Sequence, residues 1–407
     1  MKRIAIKNIC EVYDGPHATP KKTETGPVYL GIDAITEDGM LDSSQFSYLS
    51  KEDYIKWTKR VVPQENDIVF SYEATLGKYA LIPRGFYGCL GRRLAIIRVI
   101  SEEIDAKWLY YYFRSPEWNA FIKNQTVKGS TVDRISVEEF PNYTIPVISL
   151  KNQKKMVAVL EKIDAKIRTN NKINDYLEEM AKTIYDYWFI QFDFPGENGK
   201  PYKSSGGKMS FCNELNREIP QNWNYTSIGN ITICLDSERI PLSNQQREGM
   251  KGSIPYYGAT GIMDYVNRPI FSGNFVLLAE DGSVMDDNGN PILQRVSGDV
   301  WINNHTHVLQ PVKGYSCRLL YLLLKDIPVS IIKTGSIQMK INQANLNNYN
   351  ILSIPDAIRT QFINCVEPLD TKIMQIQQEN NNLIQFRDWL LPMLMNGQAT
   401  IEDCCDK

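Results

Sequence analysis

The sequence predicts an α/β protein in which one plan occurs twice: a mixed domain followed by a long helix, with the two helices packed on each other. Three observations predict it. The chain repeats itself at an offset of 206 residues, both copies end in stretches with apolar residues three and four apart, and both begin with short strand-like runs.

The repeat emerges when 129–177 is laid over 335–383 without a gap. Identical residues are Gly129/Gly335, Ser130/Ser336, Ile135/Ile341, Asn142/Asn348, Tyr143/Tyr349, Ile145/Ile351, Ile148/Ile354, Glu161/Glu367, Asp164/Asp370, Lys166/Lys372, Ile167/Ile373, Asn174/Asn380 and Leu177/Leu383. Ordinary residue frequencies would give about three matches in such a window. The chain is therefore a duplication.

The elements follow in order. Residues 1–149 form the first mixed domain, with the strand-like run Asp67-Ile68-Val69-Phe70-Ser71-Tyr72 and a short helix near 105–124. A helix over 150–190 carries a seam of Leu160, Ile163, Ile167, Asn174, Leu177, Ile184 and Trp188. Residues 191–218 read as a linker, because 195–207 is rich in Pro, Gly and Ser. The second mixed domain spans 219–354, with the run Asn274-Phe275-Val276-Leu277-Leu278 and a short helix near 316–325. The last region, 355–407, carries the seam Val366, Leu369, Ile373, Asn380, Leu383, Leu390 and Leu394. Pro368 should break it, giving a short helix to about Val366 and then the long one. Each long helix has about 35 residues and so spans about 50 Å. A helix packed on its own domain is the alternative, but two matching seams in one chain favour a pair. Asn174 and Asn380 hold the same seam position, where a polar residue fixes register.

Composition narrows the function. With 43% hydrophobic and 23% charged residues, the chain has ample core and is not disordered. A net charge of −2 argues against an indiscriminate basic nucleic-acid binder but leaves a local contact face open. No signal peptide is expected, and no run of apolar residues is long enough to span a membrane. Eight scattered cysteines without C-x-x-C, and only three histidines, argue against structural zinc and suit a reducing cytoplasm.

Several stretches together resemble the specificity subunit of type I restriction–modification systems, over essentially the whole length. Ile145-Pro146, then Gln153-Lys154 and Leu160-Glu161-Lys162-Ile163-Asp164-Ala165-Lys166-Ile167, resemble that family's first shared helical region. Phe192-Asp193-Phe194-Pro195 and Gly199-Lys200-Pro201-Tyr202-Lys203-Ser204-Ser205-Gly206-Gly207-Lys208-Met209 resemble its inter-domain linker. Ile219-Pro220-Gln221-Asn222-Trp223 is similar to the usual opening of a target-recognition domain, an opening the first domain lacks. The segments 235–242, 255–261 and 303–309 look like one subtype of such a domain.

The resemblance implies two target-recognition domains, each reading one half of a bipartite site in double-stranded DNA. Their helices would pair antiparallel as a coiled coil that spaces the domains. Two methyltransferase subunits would dock on the helices, and a restriction (motor nuclease) subunit would join them. Candidate docking residues off the seam are Lys166, Arg168, Lys172, Tyr176, Lys372 and Gln375. S-adenosylmethionine, ATP and Mg would belong to the partner subunits, with no cofactor or metal in this chain.

Candidate DNA-reading residues follow from side-chain chemistry. Arg92 and Arg93 precede the strand-like run Leu94-Ala95-Ile96-Ile97, and arginine can take guanine bidentately or hold phosphate. Asn303, Asn304, His305 and His307 occupy the analogous place before Val308-Leu309, where asparagine suits adenine. The loop with His17, Lys21 and Lys22 has its counterpart at Arg239. Tyr72 and Lys78 lie in a loop aligned through Glu73 with Glu280, the glutamates themselves reading as turn residues. Tyr256, Tyr257 and Thr260 combine aromatic and small side chains. Ser130, Thr131 and Arg134 match Ser336 and Lys340 as hydroxyl-plus-cation elements for phosphate. Each of these positions also has a reading as a surface or turn residue.

Catalysis by the lone chain is not expected. There is no phosphate-gripping G-x-x-x-x-G-K-[ST], no G-x-G-x-x-G after a strand, and no Asn/Asp-Pro-Pro-aromatic tetrapeptide. Asp67, Glu73 and Lys78 could be forced into a nuclease, but the second copy lacks the pattern. His305 and His307, two apart on a strand, would share one face, as metal ligands can, but with no cysteine nearby and few other histidines a metal is not expected. A protein-binding scaffold held by the coiled coil is the other reading.

Overall fold

The computed structural model describes residues 2–126, 133–286, 288–335, 339–399 and 401. The chain forms two compact units: residues up to Thr169 together with those from Asn380 onward, and Asn170–Glu379.

The first unit contains β1 (Lys2–Ala5), β2 (Cys10–Asp14), β3 (Thr23–Leu30), β4 (Ser47–Tyr48), α1 (Lys51–Trp57), β5 (Ile68–Ser71), β6 (Tyr79–Leu81), β7 (Gly88–Leu90) and β8 (Leu94–Val99). Then come α2 (Ala106–Phe113), α3 (Pro116–Gln125), β9 (Thr144–Val147) and the start of α4 (Leu150–Tyr185). An antiparallel sheet runs β2-β8-β5-β6, and a second runs β4-β3-β7 with β3 and β7 parallel. The unbroken apolar runs of β5 and β8 are explained by burial on both faces. Ile68, Phe70, Ala95 and Ile97 pack toward α2, α3 and the long helices. Val69, Leu94 and Ile96 pack toward Leu30, Ala34 and Ile35. Asp105 and Ser115 cap α2 and α3, each accepting backbone N–H bonds in the first turn.

The second unit repeats this with β10 (Met209–Cys212), β11 (Arg217–Pro220), β12 (Asn224–Ser227), α5 (Ile228–Ile231), β13 (Thr232–Cys234), α6 (Asn244–Glu248), β14 (Lys251–Gly258) and β15 (Gly261–Val266). After them come β16 (Phe271–Ala279), β17 (Leu293–Ile302), β18 (Thr306–Pro311), α7 (Cys317–Lys325), α8 (Val329–Ile332), β19 (Lys333–Thr334), β20 (Lys340–Ile341), α9 (Gln343–Asn347), β21 (Asn350–Ser353) and α10 (Asp356–Met395). One six-stranded sheet runs β13-β18-β16-β17-β14-β15. Its β17 is long enough to do the work of both β6 and β7: it pairs antiparallel with β16 and then, at Trp301 and Ile302, parallel with β14. Facing residues again divide, Val276 and Leu278 toward α7, Phe275 and Leu277 toward Val296 and Val300.

The two helices pair within each unit. In the first, Met156, Val157 and Leu160 share a core with Leu391, Leu394 and Met395, and Asp164 accepts from Arg387 at 3.0 Å. In the second, Tyr185, Trp188 and Phe189 surround Phe362, and Asn170 donates to Glu379 at 2.8 Å. In both, rising numbers on α4 meet falling numbers on α10, so the two helices run antiparallel. Of the seam residues, Leu160, Ile163, Ile167, Trp188, Val366, Ile373, Asn380 and Leu394 are buried. Asn174, Leu177, Ile184, Leu369, Leu383 and Leu390 are half-buried.

Two expectations are corrected. Pro368 does not end a helix: α10 runs through it for 40 residues. Proline forfeits the bond to the Asn364 carbonyl, but both residues are exposed, so water reaches that carbonyl, while Val366, Asp370 and Ile373 anchor the turn around it. The Gly/Pro-rich stretch after α4 is not a loose linker either. Phe194 stacks between Tyr202 and Trp223, and β10 and β11 close a hairpin behind it.

Candidate nucleic-acid interface

In the first unit three loops converge where β2 and β5 end and β8 begins. The register is set by backbone bonds. Gly15 N donates to Leu94 O at 3.0 Å, Tyr72 N to Arg93 O at 3.2 Å, and Ile135 N to Tyr72 O at 2.8 Å. The backbones of Glu73 and Arg134 form an isolated antiparallel β-bridge. Arg93 sits at φ 70°, a left-handed conformation that arginine rarely adopts, and its Nε lies 3.0 Å from Glu73 Oε1. The strained turn aims Arg92 outward. Arg92 is exposed, and its backbone N–H donates to Tyr29 Oη at 3.0 Å. His17 is exposed beside Asp14, 2.9 Å away, and Lys21 and Lys22 are exposed beyond it.

The second unit carries the same frame. Glu280 N donates to His305 O at 2.9 Å, Ile341 N to Glu280 O at 2.8 Å, and the backbones of Asp281 and Lys340 form an isolated antiparallel β-bridge. These bonds make His305 the counterpart of Arg93, Asn304 of Arg92, Asp281 of Glu73, and Lys340 of Arg134. The carboxylate-to-cation contact recurs with different side chains: His305 Nδ1 lies 2.7 Å from Asp281 Oδ1. The pairing of Glu73 with Glu280 is therefore off by one. Tyr72 is the true counterpart of Glu280.

Beneath the second frame lies a buried ionic cluster. Glu280 takes Arg239 at 2.6 Å and Lys340 at 2.8 Å. Arg239 also donates to the carbonyls of Asp236 and Thr306. His307 is 2% exposed, with Nδ1 2.5 Å from Asp236 Oδ2 and Nε2 2.9 Å from Ile341 O. A carboxylate and a carbonyl only accept, so this arrangement favours the protonated ring, in which both nitrogens donate. Burial pulls its pKa down, but the bonds to Asp236 and Ile341 and the charges of Asp236 and Glu280 outweigh it and raise it. Cys234, Asp236 and His307 hold their ligand atoms within 4.8 Å of one another, the spacing of a metal site. The chemistry does not fit one. Both imidazole nitrogens are engaged, and burial with the neighbouring Asp236 pushes the Cys234 thiol up to about 12.

A family model described as the type I restriction modification DNA specificity domain matches residues 1–179 and again 220–385. The chain belongs to this family. The type I restriction enzyme MjaIX specificity subunit of Methanocaldococcus jannaschii is 25% identical to it, over 98% of this chain and 93% of that one. The type I restriction enzyme EcoprrI specificity subunit of Escherichia coli is 24% identical, over 85% of this chain and 82% of that one. The crystal structure of the type I restriction–modification S subunit from M. genitalium shares the fold at a TM-score of 0.50 and 16% identity, covering 97% of this chain and 95% of that chain.

In this specificity-family chain the fold sorts the sequence's candidates. Exposed at the loops stand His17, Lys21, Lys22, Arg92, Arg134, Asn304, His305 and Lys340, with Arg93 half-exposed. Thr260 is exposed at the tip of the β14–β15 hairpin, and Tyr257 is half-buried in it. Others are buried or engaged within the fold, as corrections. Tyr256 is buried and its hydroxyl accepts from Leu242 N. Asn303 is buried and caps the turn by accepting from His305 N. Tyr72 and His307 are buried, Arg239 is spent in the ionic cluster, and Lys78 binds Ile35 O and Glu37. His305 and His307 do not share a face, because β18 begins at Thr306 and leaves His305 in the turn. Ser130, Thr131 and Ser336 lie outside the described residues. The sequence reading missed Glu73 and Asp281 as the groups that hold Arg93 and His305. The signal was an acidic residue just past the strand in both copies, hidden by the one-residue offset.

Proposed function

We propose that this chain reads double-stranded DNA for a type I restriction–modification complex, each domain recognising one part of a bipartite site. The observation that carries the reading is the twice-built loop frame. One set of backbone bonds presents Arg92 and Arg93 in one domain and Asn304 and His305 in the other. A constant frame with changed side chains is what two readers of different sequence require. Linking two modest readers in one chain raises overall affinity through effective concentration.

The chain does no chemistry in this reading. S-adenosylmethionine, ATP and Mg serve the partner subunits, and the setting is the cytoplasm. Docking of two modification subunits is supported by exposed apolar residues on the long helices. On α4, Tyr176 is 66% and Met180 52% exposed; on α10, Phe386 is 48% and Trp389 56% exposed. Met180 and Phe386 are 206 residues apart, equivalent positions of the repeat, as two copies of one partner would need. A restriction subunit joins the same complex.

Methylation mapping tests the reading. The chain is co-expressed with its modification subunit in a host without adenine methylation, and modified adenines are sequenced. A single split motif, lost without this chain and altered in one half by replacing 1–149, is the expected result. An assembled complex with no motif overturns it.

A further inference from the structure

We propose that the exposed pair Arg92 and Asn304 sets base identity at equivalent positions of the two half-sites, guanine for the first domain and adenine for the second. The inference rests on the DNA-reading function above and assigns the base each domain demands.

The two residues hold the same place in the frame. Each precedes the residue whose carbonyl accepts from the strand-end amide, Tyr72 N onto Arg93 O and Glu280 N onto His305 O. Each is exposed while its neighbours are fixed. Arg93 is held by Glu73 at 3.0 Å and His305 by Asp281 at 2.7 Å. Backbone bonds fix the reading residues too: Arg92 N donates to Tyr29 Oη, and Asn304 O accepts from Arg239 Nη1 at 3.3 Å. A side chain launched from a fixed backbone can hold the planar geometry that bidentate recognition needs. The guanidinium fork matches O6 and N7 of guanine, and the carboxamide matches N6 and N7 of adenine. Phosphate contact would not need this rigidity, and the flexible, exposed Lys21 and Lys22 nearby suit it better.

The test uses the full chain in complex with its modification subunits and maps methylated adenines as above. Three substitutions are compared: Arg92→Asn, Arg92→Lys and Asn304→Arg. Arg92→Asn should replace or relax one guanine in a single half-site, with roughly 10- to 100-fold lower modification of the original motif and the other half unchanged. Asn304→Arg should do the reverse in the other half-site. Arg92→Lys keeps the charge and the exposed position, so it guards against loss of fold. It should weaken the guanine requirement while phosphate attraction is kept. An unchanged motif, with affinity for a duplex carrying it lowered equally at all sequences and the salt slope reduced by about one, would make Arg92 a phosphate contact and overturn the inference while leaving the DNA-reading function intact. Absence of any split motif with the unsubstituted chain would instead overturn the reading on which the inference stands.

Discussion

Removing the charge of Glu178 should loosen the second unit by about 2–3 kcal/mol. Glu178 stands on α4 and accepts from two guanidinium groups of the second domain, Arg318 at 2.6 Å and Arg295 at 3.2 Å. Arg318 is fully buried and Arg295 nearly so. Asp370 on α10 contacts Arg295, so that cation keeps one carboxylate in Glu178→Gln. Arg318 keeps no carboxylate among the described residues. An uncompensated buried charge costs about 3–5 kcal/mol. Glu178 is 36% exposed, and water screening there trims the figure to about 2–3 kcal/mol. Native-state hydrogen exchange of the α7 amides reads it, because Arg318 lies in the first turn of that helix. Adding Arg318→Met should restore most of the loss, since an apolar chain of similar length has no charge to strand. Exchange unchanged within about 0.5 kcal/mol in the single variant, or a double variant as weak as the single one, would refute the reasoning.

His307 gives the second unit a pH dependence. Its folded pKa lies above the ordinary value near 6.5, so its contribution is complete below about pH 6.5 and lost as pH rises through the raised value. Melting of the second unit should fall with rising pH in that window, and His307→Gln should flatten the slope. Gly91→Ala should destabilise the first unit by about 1–3 kcal/mol, because the new Cβ would meet Leu30 O at 2.2 Å. Thermal unfolding measures that loss, and methylation mapping should show the first half-site failing before the second. Phe386→Asp with Trp389→Asp should leave unfolding unchanged, both side chains being exposed, and weaken assembly with the modification subunit in size-exclusion chromatography.

Much of the fold was legible because periodicity reports burial. The seam from Leu160 to Trp188 was read from spacing alone, and the runs at Ile68 and Leu94 were legible as strands, though not that both their faces are buried. Pro368 misled because proline's cost is local, while the contacts that hold α10 at Val366 and Ile373 come from elsewhere in the fold. At the interface the place of Arg92 and Asn304 was legible from their position ahead of a strand. Which neighbours turn inward was not: residue type is the same for His305 in a turn and His307 in the core, and only the point where β18 begins separates them. The slip at Glu73 has a similar origin: the copies keep an offset of 206 at Ile135/Ile341 but of 208 at Tyr72/Glu280, and an ungapped comparison cannot see that change.

The first unit is discontinuous, and synthesis on the ribosome makes that a matter of timing. Its core counts Leu391, Leu394 and Met395 among the neighbours of Leu160, yet 170–379 must be made in between. At about 5–20 residues per second those roughly 210 residues take on the order of 10–40 s. Throughout that interval the core that Met156, Val157 and Leu160 share with the first domain lacks the part that Leu391, Leu394 and Met395 supply. The first unit therefore closes its core last, after the whole of the second unit has been made.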